Sequence, residues 1–536
     1  MQQLQPLDYG VFLFYFLVVA VYGYWIYQRK KAKTATASTD FFLAEGSLTW
    51  WAIGTSLIAS NISAEQMIGA SGNGFSMGLA IATYEWMAAA TLLIVAIFFM
   101  PIYLKNRIFT MPQFLTQRYN ETVAMIMAIF WLLLYVLVNL TSILFLGALA
   151  VSTISGIEFW TCMIGLAVFA FLITIGGMKV IGYTDVIQVF FLILGGLAAT
   201  YLAVSLVSTE YGRQGLVAGF DQMLDSSADH FHMIFGKGDP YYSALPGLTV
   251  LIGGMWIVNL NYWGCNQYIT QRALGADLKT ARSGLLFAAF LKLLMPVIVV
   301  LPGIAAYTLY QKGLFQQEMM TGGELNPDRA YPVLLNLLPA GLKGLSFAAL
   351  TAAIVASLAG KANSIATIFT LDIYKKYINR DATEQGLVRV GRYTILVAII
   401  LGCAISPFMG IDKKGGFQFI QEMTGLVSPG VFAAFIMGFF WKRTNAAGAL
   451  FSIVGGTVLA VILHNAMPEV PFLDRMGWVF LFCVAGIVVL ALIDPKSKEN
   501  PKGLEIDASM FIPSRGFSIG AGIVVAMLVV LYTVFW

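Results

Sequence analysis

The sequence predicts an all-α polytopic membrane protein, on three observations. Of its 536 residues, 59% are hydrophobic and only 11% charged, against about 25% charged in a typical soluble domain; mean hydropathy is +0.79. The apolar residues gather into fourteen segments of roughly the 20 residues that cross a bilayer, near 10–27, 48–72, 77–104, 122–153, 157–177, 181–207, 246–270, 283–310, 343–371, 390–409, 417–441, 447–465, 475–493 and 517–536. Two of them, about 200 residues apart, are interrupted by polar and small residues: Ser56 to Gln66 (SLIASNISAEQ) and Asn259 to Gln267 (NLNYWGCNQ). Irregular backbone frees N–H and C=O groups that lipid cannot satisfy, so such breaks belong where they are buried in protein or line a wet cavity.

Taken in order, the first segment follows MQQLQPLDYG, which lacks a basic n-region, and precedes the basic run Arg29, Lys30, Lys31 and Lys33. A retained first helix with the amino terminus outside is expected. Fourteen crossings then return Val534-Phe535-Trp536 to the outside and put most of the 32 Lys and Arg on the cytoplasmic side. The net charge of +4 therefore reflects topology, and no nucleic-acid partner is inferred.

Setting 10–27 aside as a peripheral helix, the next ten segments divide into 48–207 and 246–441, each opening on an interrupted one. Five is odd, so the halves enter the membrane from opposite sides: an inverted repeat, the build of a rocking secondary transporter. The segments in 447–536 are peripheral, and the hydrophilic stretches near 372–389 and 494–516 are too short for a second domain. The longest loop, 208–245, reads as a plain outer connection rather than a lid.

Cys162, Cys265, Cys403 and Cys483 fall in four different apolar segments without metal-ligand spacing and read as packing residues. Neither a Gly-rich phosphate loop nor HExxH is present, and His230, His232 and His464 sit in or beside predicted outer loops. An ATP-driven pump and an enzyme are disfavoured. A membrane sensor would need an output domain, and a channel would turn over far faster than a carrier and show no counterflow.

Gln66, Glu85, Asn259, Lys292 and Gln421 lie within predicted spans, where an ionisable side chain costs at least about 2.5–3.5 kcal/mol at the centre. Glu85 sits about 12 Å into its helix and Lys292 about 14 Å into its own. The pair is either part of a binding site or an internal ion pair. A polyhydroxylated ring suits the set: carboxylate and amide oxygens accept from hydroxyls, while ammonium and amide nitrogens donate to them. Tyr84, Tyr262, Trp263 and Phe417 flank the set and suit the C–H face of a ring, or a gate. For a cation, the break at Ala59 to Ser63 offers carbonyls and Ser357 a hydroxyl, oxygen ligands of the kind Na+ takes.

The strings ASNISAEQMIGASGNGFSMGLAIATYEW (59–86), VNLTS (138–142), GYTDVIQVFF (182–191), NYWGCNQYITQR (261–272), FAAFLK (287–292), IQEMTGLVSPG (420–430) and GFFWKRTNAAGA (438–449) resemble the sodium:solute symporter family, in particular its bacterial sodium/galactose-type carriers. The resemblance runs from about residue 40 to the end. It implies fourteen helices with a five-plus-five inverted-repeat core of the leucine-transporter type, and sodium-coupled hexose uptake by alternating access across a bacterial inner membrane, the chain acting as a monomer or weak homo-oligomer. Matched position by position, the sugar-binding residues are Gln66, Glu85, Asn259, Lys292 and Gln421. The inner aromatic gate is Tyr262 with Trp263 adjacent, and the outer cover is Tyr84 and Phe417. The sodium ligands are the carbonyls of Ala59, Ile62 and Ala353 with the hydroxyl of Ser357, and Asp185 lies on the cytoplasmic cation route.

This chain departs from the family pattern in one stretch. Ala356 stands where a first hydroxyl is expected, Gly360 replaces a serine, and Lys361 follows Ser357 by four residues, on the same helix face. Sodium coupling is the expectation; the alternatives are a sodium-independent or proton-coupled carrier in which the Lys361 ammonium replaces the cation. A sialic acid or an inositol is the alternative cargo, but Glu85 offsets Lys292, so a neutral sugar fits better than an anion.

Overall fold

The computed structural model describes residues 4–29, 48–63, 65–108, 110–175, 178–321, 323–408, 416–504 and 506–536. The basic run Lys30, Lys31 and Lys33 lies outside them. Among the described residues, nine helices are long and apolar enough to cross a membrane, ten if Phe417–Gly425 and Ser428–Phe440, bent by 53°, form one span. Pro6–Tyr22 and Phe159–Thr174 are shorter apolar helices. The molecule is a helical multi-pass membrane protein. Its strands among the described residues are one two-residue pair, Met320–Thr321 with Glu324–Leu325.

Both interruptions expected from sequence are real breaks. Trp50–Asn61 stops at Ile62 (φ −77°, ψ 96°), and the chain resumes as the wide-turned π-helix Glu65–Ala70. In the second, Gly254–Leu260 widens into the π-helix Asn261–Cys265, Asn266 is extended (φ −95°, ψ 120°), and Gln267–Leu274 follows. The Asn266 side chain accepts the Tyr268 N–H at 3.1 Å, satisfying one of the donors the break exposes. This second break falls at the far end of the predicted stretch, leaving Asn259 inside a regular helical turn.

The helical run Glu65–Lys105 has 41 residues. At 1.5 Å per residue that is roughly 60 Å, twice the bilayer core. The backbone leaves helical geometry at Gly78 (φ 71°, ψ −147°), a conformation glycine tolerates. A Cβ there would also lie 2.3 Å from the His230 carbonyl oxygen.

Leu278–Gln311 is the axis, packing on Trp50–Asn61, Ser71–Met77, Thr83–Ile94 and Met178–Glu210. Lipid tails give no hydrophobic drive between helices, so close backbone approach across small residues carries the packing. At Gly303 a Cβ would lie 2.1 Å from the Ser71 carbonyl oxygen. Gly303→Leu is expected to force these helices apart, to cost at least about 1–3 kcal/mol and to lower the melting temperature in detergent. The interior and the rim differ clearly in burial. Residues 52–60 of Trp50–Asn61 are all buried, whereas Arg515–Val534 is 17% buried and turns Val525, Val529 and Val530 outward, as a lipid-facing helix does.

The loop 208–245 is more than a connection. It contains the helix Leu216–Ser226, whose Phe220, Met223 and Leu224 recur at i, i+3, i+4 and pack inward. Beyond it the His230 ring stacks on Tyr307 at 3.8 Å, and its Nε2 lies 3.0 Å from the Phe75 carbonyl. The loop therefore clamps the ends of Ser71–Met77 and Leu278–Gln311.

Candidate functional site

Three elements converge on one buried polar cluster: the π-turn after the first break brings Gln66, Thr83–Ile94 brings Glu85, and the axis helix brings Lys292. Gln66 Nε2 donates to Glu85 Oε1 at 2.6 Å, and Lys292 Nζ donates to Glu85 Oε2 at 2.5 Å. Lys292 also donates to Asn61 Oδ1, and Asn61 Nδ2 donates to the Tyr262 hydroxyl at 3.4 Å. Glu85 and Lys292 are 4% and 1% exposed, so the alternative of an internal ion pair is realised as a contact. It does not exclude binding, since both residues line the central cavity. An ammonium has three donors; the described residues take two of them, and the Trp263 ring lies 5.2 Å away.

The cavity holds about 890 Å³ of atom-free space, part of it open to solvent. Gln66, Glu85, Asn259, Lys292 and Gln421 all line it, as do Tyr84, Tyr262, Trp263 and Phe417. Gln66 Oε1 is a buried acceptor without a partner among the described residues. Asn259 Nδ2 gives one proton to the Met255 carbonyl at 3.2 Å, which leaves its second proton and its oxygen. On one side Tyr84 and Phe417 meet edge-to-face at 5.0 Å; on another Tyr262 and Trp263 do so at 5.2 Å. The titratable acids and bases on the lining are Glu65, Glu85, Lys292 and Lys361, which sum to no net charge.

The residues expected around a cation fall beside the first break. The Ser357 hydroxyl lies 3.4 Å from the Ala59 carbonyl and 3.5 Å from that of Ser60, so one hydroxyl and two carbonyl oxygens share a small volume, a donor set that suits Na+. Ile62 sits at the break itself, and Ala353 lies one turn before Ser357 on the same face of Leu342–Thr367. Among the described residues no cluster of three or more His, Cys, Asp or Glu forms a metal site, nor does Na+ need one.

Asp185 is not free. Its Oδ2 accepts from Arg272 Nη1 at 2.7 Å and from the Ser56 hydroxyl at 2.6 Å, and both charged side chains are 1% exposed. Lys361 donates to Asn139 Oδ1 at 3.1 Å and covers the Tyr268 ring at 4.3 Å and the Tyr135 ring at 5.1 Å. It lines the central cavity.

Sequence reasoning passed over Asn61, Glu65 and Arg272. The cost of a carboxylate in a span applied to Glu65, beside Gln66 in the predicted segment 48–72, as it did to Glu85. Arg272 read as one more basic residue of a cytoplasmic loop. Outside the spans, Asp277 caps Leu278–Gln311 by accepting from the Lys279 and Thr280 N–H groups. The Thr280 hydroxyl and backbone bonds hold its carboxyl below the usual range.

The model of the sodium:solute symporter family matches residues 41–456. The chain is 47% identical over 541 residues to the sodium/glucose cotransporter of Vibrio parahaemolyticus, covering 99% of this chain and 98% of that one. It is 33% identical over 481 residues to human sodium/myo-inositol cotransporter 2, covering 86% and 70%. Among solved structures, a substrate-bound, outward-open Na+-coupled sialic acid symporter aligns with TM-score 0.77 at 20% identity, over 91% of this chain and 98% of that one. Inward-facing Mhp1 aligns with TM-score 0.55 at 12% identity, over 90% and 100%. At these identities the structural likeness speaks for the fold alone. With a family match over most of its length and a near full-length relative at 47%, the chain belongs to the sodium:solute symporter family.

Proposed function

We propose that this protein is a sodium-coupled symporter of a neutral hexose, galactose or glucose, working by alternating access in a bacterial inner membrane. The observation that carries the reading is the meeting of two broken spans at one polar cavity whose charges cancel. Gln66 Oε1, the Asn259 oxygen, Gln421 and the remaining Lys292 proton are the groups left for cargo hydroxyls. Neutral hydrogen bonds of about 0.5–1.5 kcal/mol net and charged ones of about 1.5–3 give specificity with the modest affinity a carrier needs. An anion would want the net positive charge this lining lacks. The Tyr84–Phe417 pair covers one exit and Tyr262 with Trp263 the other.

The same reading takes the chain as fourteen crossings with 48–207 and 246–441 as inverted repeats and both termini outside. The geometry at Gly78, which divides a run too long for one crossing, supports that count. One Na+ per sugar would ride on the Ala59, Ile62, Ala353 and Ser357 oxygens. A 100 mV potential supplies about 2.3 kcal/mol and a tenfold sodium gradient about 1.4, together sustaining roughly a 500-fold sugar gradient.

Uptake of labelled galactose, glucose and myo-inositol into proteoliposomes tests this. Accumulation is expected with an inward sodium gradient and loss of accumulation when choline replaces sodium. Equal accumulation in both would exclude obligatory sodium coupling, and preference for myo-inositol would reassign the cargo to a second neutral polyol.

A further inference from the structure

The stretch that departs from the family pattern forms one structural unit around Tyr268. The Tyr268 hydroxyl donates to the Ser60 carbonyl at 2.7 Å, and Ser60 O is one of the two carbonyls against the Ser357 hydroxyl. The face of the same ring lies 4.3 Å from Lys361 Nζ. Gly360 makes this arrangement possible: a Cβ at that position would lie 2.6 Å from Tyr268 Cε2 and 2.7 Å from Arg272 Nη2. One tyrosine ring thus separates a buried ammonium from the oxygens beside the first break.

The ammonium also has a carboxylate within its field. Glu65 and Lys361 interact electrostatically, both line the central cavity, and Glu65 Oε1 is buried without a hydrogen-bond partner among the described residues. With Lys361 in place, the Glu65 charge is answered from within the protein. Without it, that buried carboxylate would lose the compensating charge of Lys361.

We propose that Lys361 sets the affinity for the coupling ion: its fixed charge, held over Tyr268 through Gly360, opposes sodium at the Ala59, Ser60 and Ser357 oxygens, so this carrier needs more sodium than one with an uncharged residue there. The proposal rests on the sodium-coupled reading above. Like unit charges separated by one aromatic ring and its contacts, at an effective dielectric of about 20, give roughly a 10–30-fold change in affinity. Lys361 acts on the ion through space and through Tyr268, as a specificity-determining residue rather than a ligand.

The test compares native protein with Lys361→Met, Lys361→Gln and Lys361→Arg, reading half-saturation by sodium both in galactose and glucose uptake and in the sodium-dependent rise of melting temperature of purified protein. The second readout serves a variant that folds but does not transport, because an ion that binds the folded state raises its melting temperature. Lys361→Met and Lys361→Gln are expected to bind sodium about 10–30-fold more tightly, and Lys361→Arg to behave as the native chain. Sodium half-saturation unchanged in the two neutral variants, or a shift in Lys361→Arg equal to theirs, overturns the role of the charge while leaving sodium coupling intact. Uptake and melting that ignore sodium in every variant would overturn both readings.

Discussion

Lys292→Ala is expected to abolish measurable sugar binding and to weaken the fold at the same time. The substitution removes the partner of Glu85 in a contact of 2.5 Å where both side chains are almost wholly buried. Breaking a buried pair from one side costs about 3–5 kcal/mol, because the surviving charge is left uncompensated. The loss of a charged hydrogen bond to cargo adds about 1.5–3 kcal/mol to binding alone. These effects separate in a double substitution: Lys292→Met with Glu85→Gln removes both charges, so melting temperature should return toward native while labelled galactose binding stays absent. Undiminished binding in Lys292→Ala would place the cargo elsewhere.

The second large effect is expected at Arg272. Arg272→Ala leaves Asp185 facing the Ser56 hydroxyl with no cation, at a site 1% exposed, and the expected loss is again about 3–5 kcal/mol of stability. The surface pair Arg213–Asp225, with side chains 44% and 66% exposed, is the internal control. Arg213→Ala should cost about 0.2–1 kcal/mol at most. Thermal unfolding of both variants checks the contrast, and similar losses would mean that burial does not set the energetics of these pairs.

The legible and the illegible parts of the sequence divide along a physical line. Interruptions at Ser56–Gln66 and Asn259–Gln267 could be read because a polar residue inside an apolar run has few explanations. Glu85 and Lys292 were readable by depth for the same reason. Their pairing was not, because 207 residues separate them and only the packing of Thr83–Ile94 on the axis helix brings them into register. Arg272 is illegible from composition, since a basic residue near a predicted span end looks like a topology signal until Gln267–Leu274 folds inward. The packed helix in 208–245 was legible in principle: Phe220, Met223 and Leu224 carry the spacing, but the abundance of Asp, Gly and Ser around them masks it.

One chain of contacts described above links the pocket to the aromatic ring proposed as its inner gate. Glu85 holds Lys292, Lys292 holds Asn61, and Asn61 holds the Tyr262 hydroxyl. A guest that takes the third ammonium proton and draws the ammonium toward itself would lengthen the bond to Asn61, and through it loosen the tether on the Tyr262 ring. Arrival of cargo and release of the latch would then be a single event, with no separate sensor needed to report that the seat is taken.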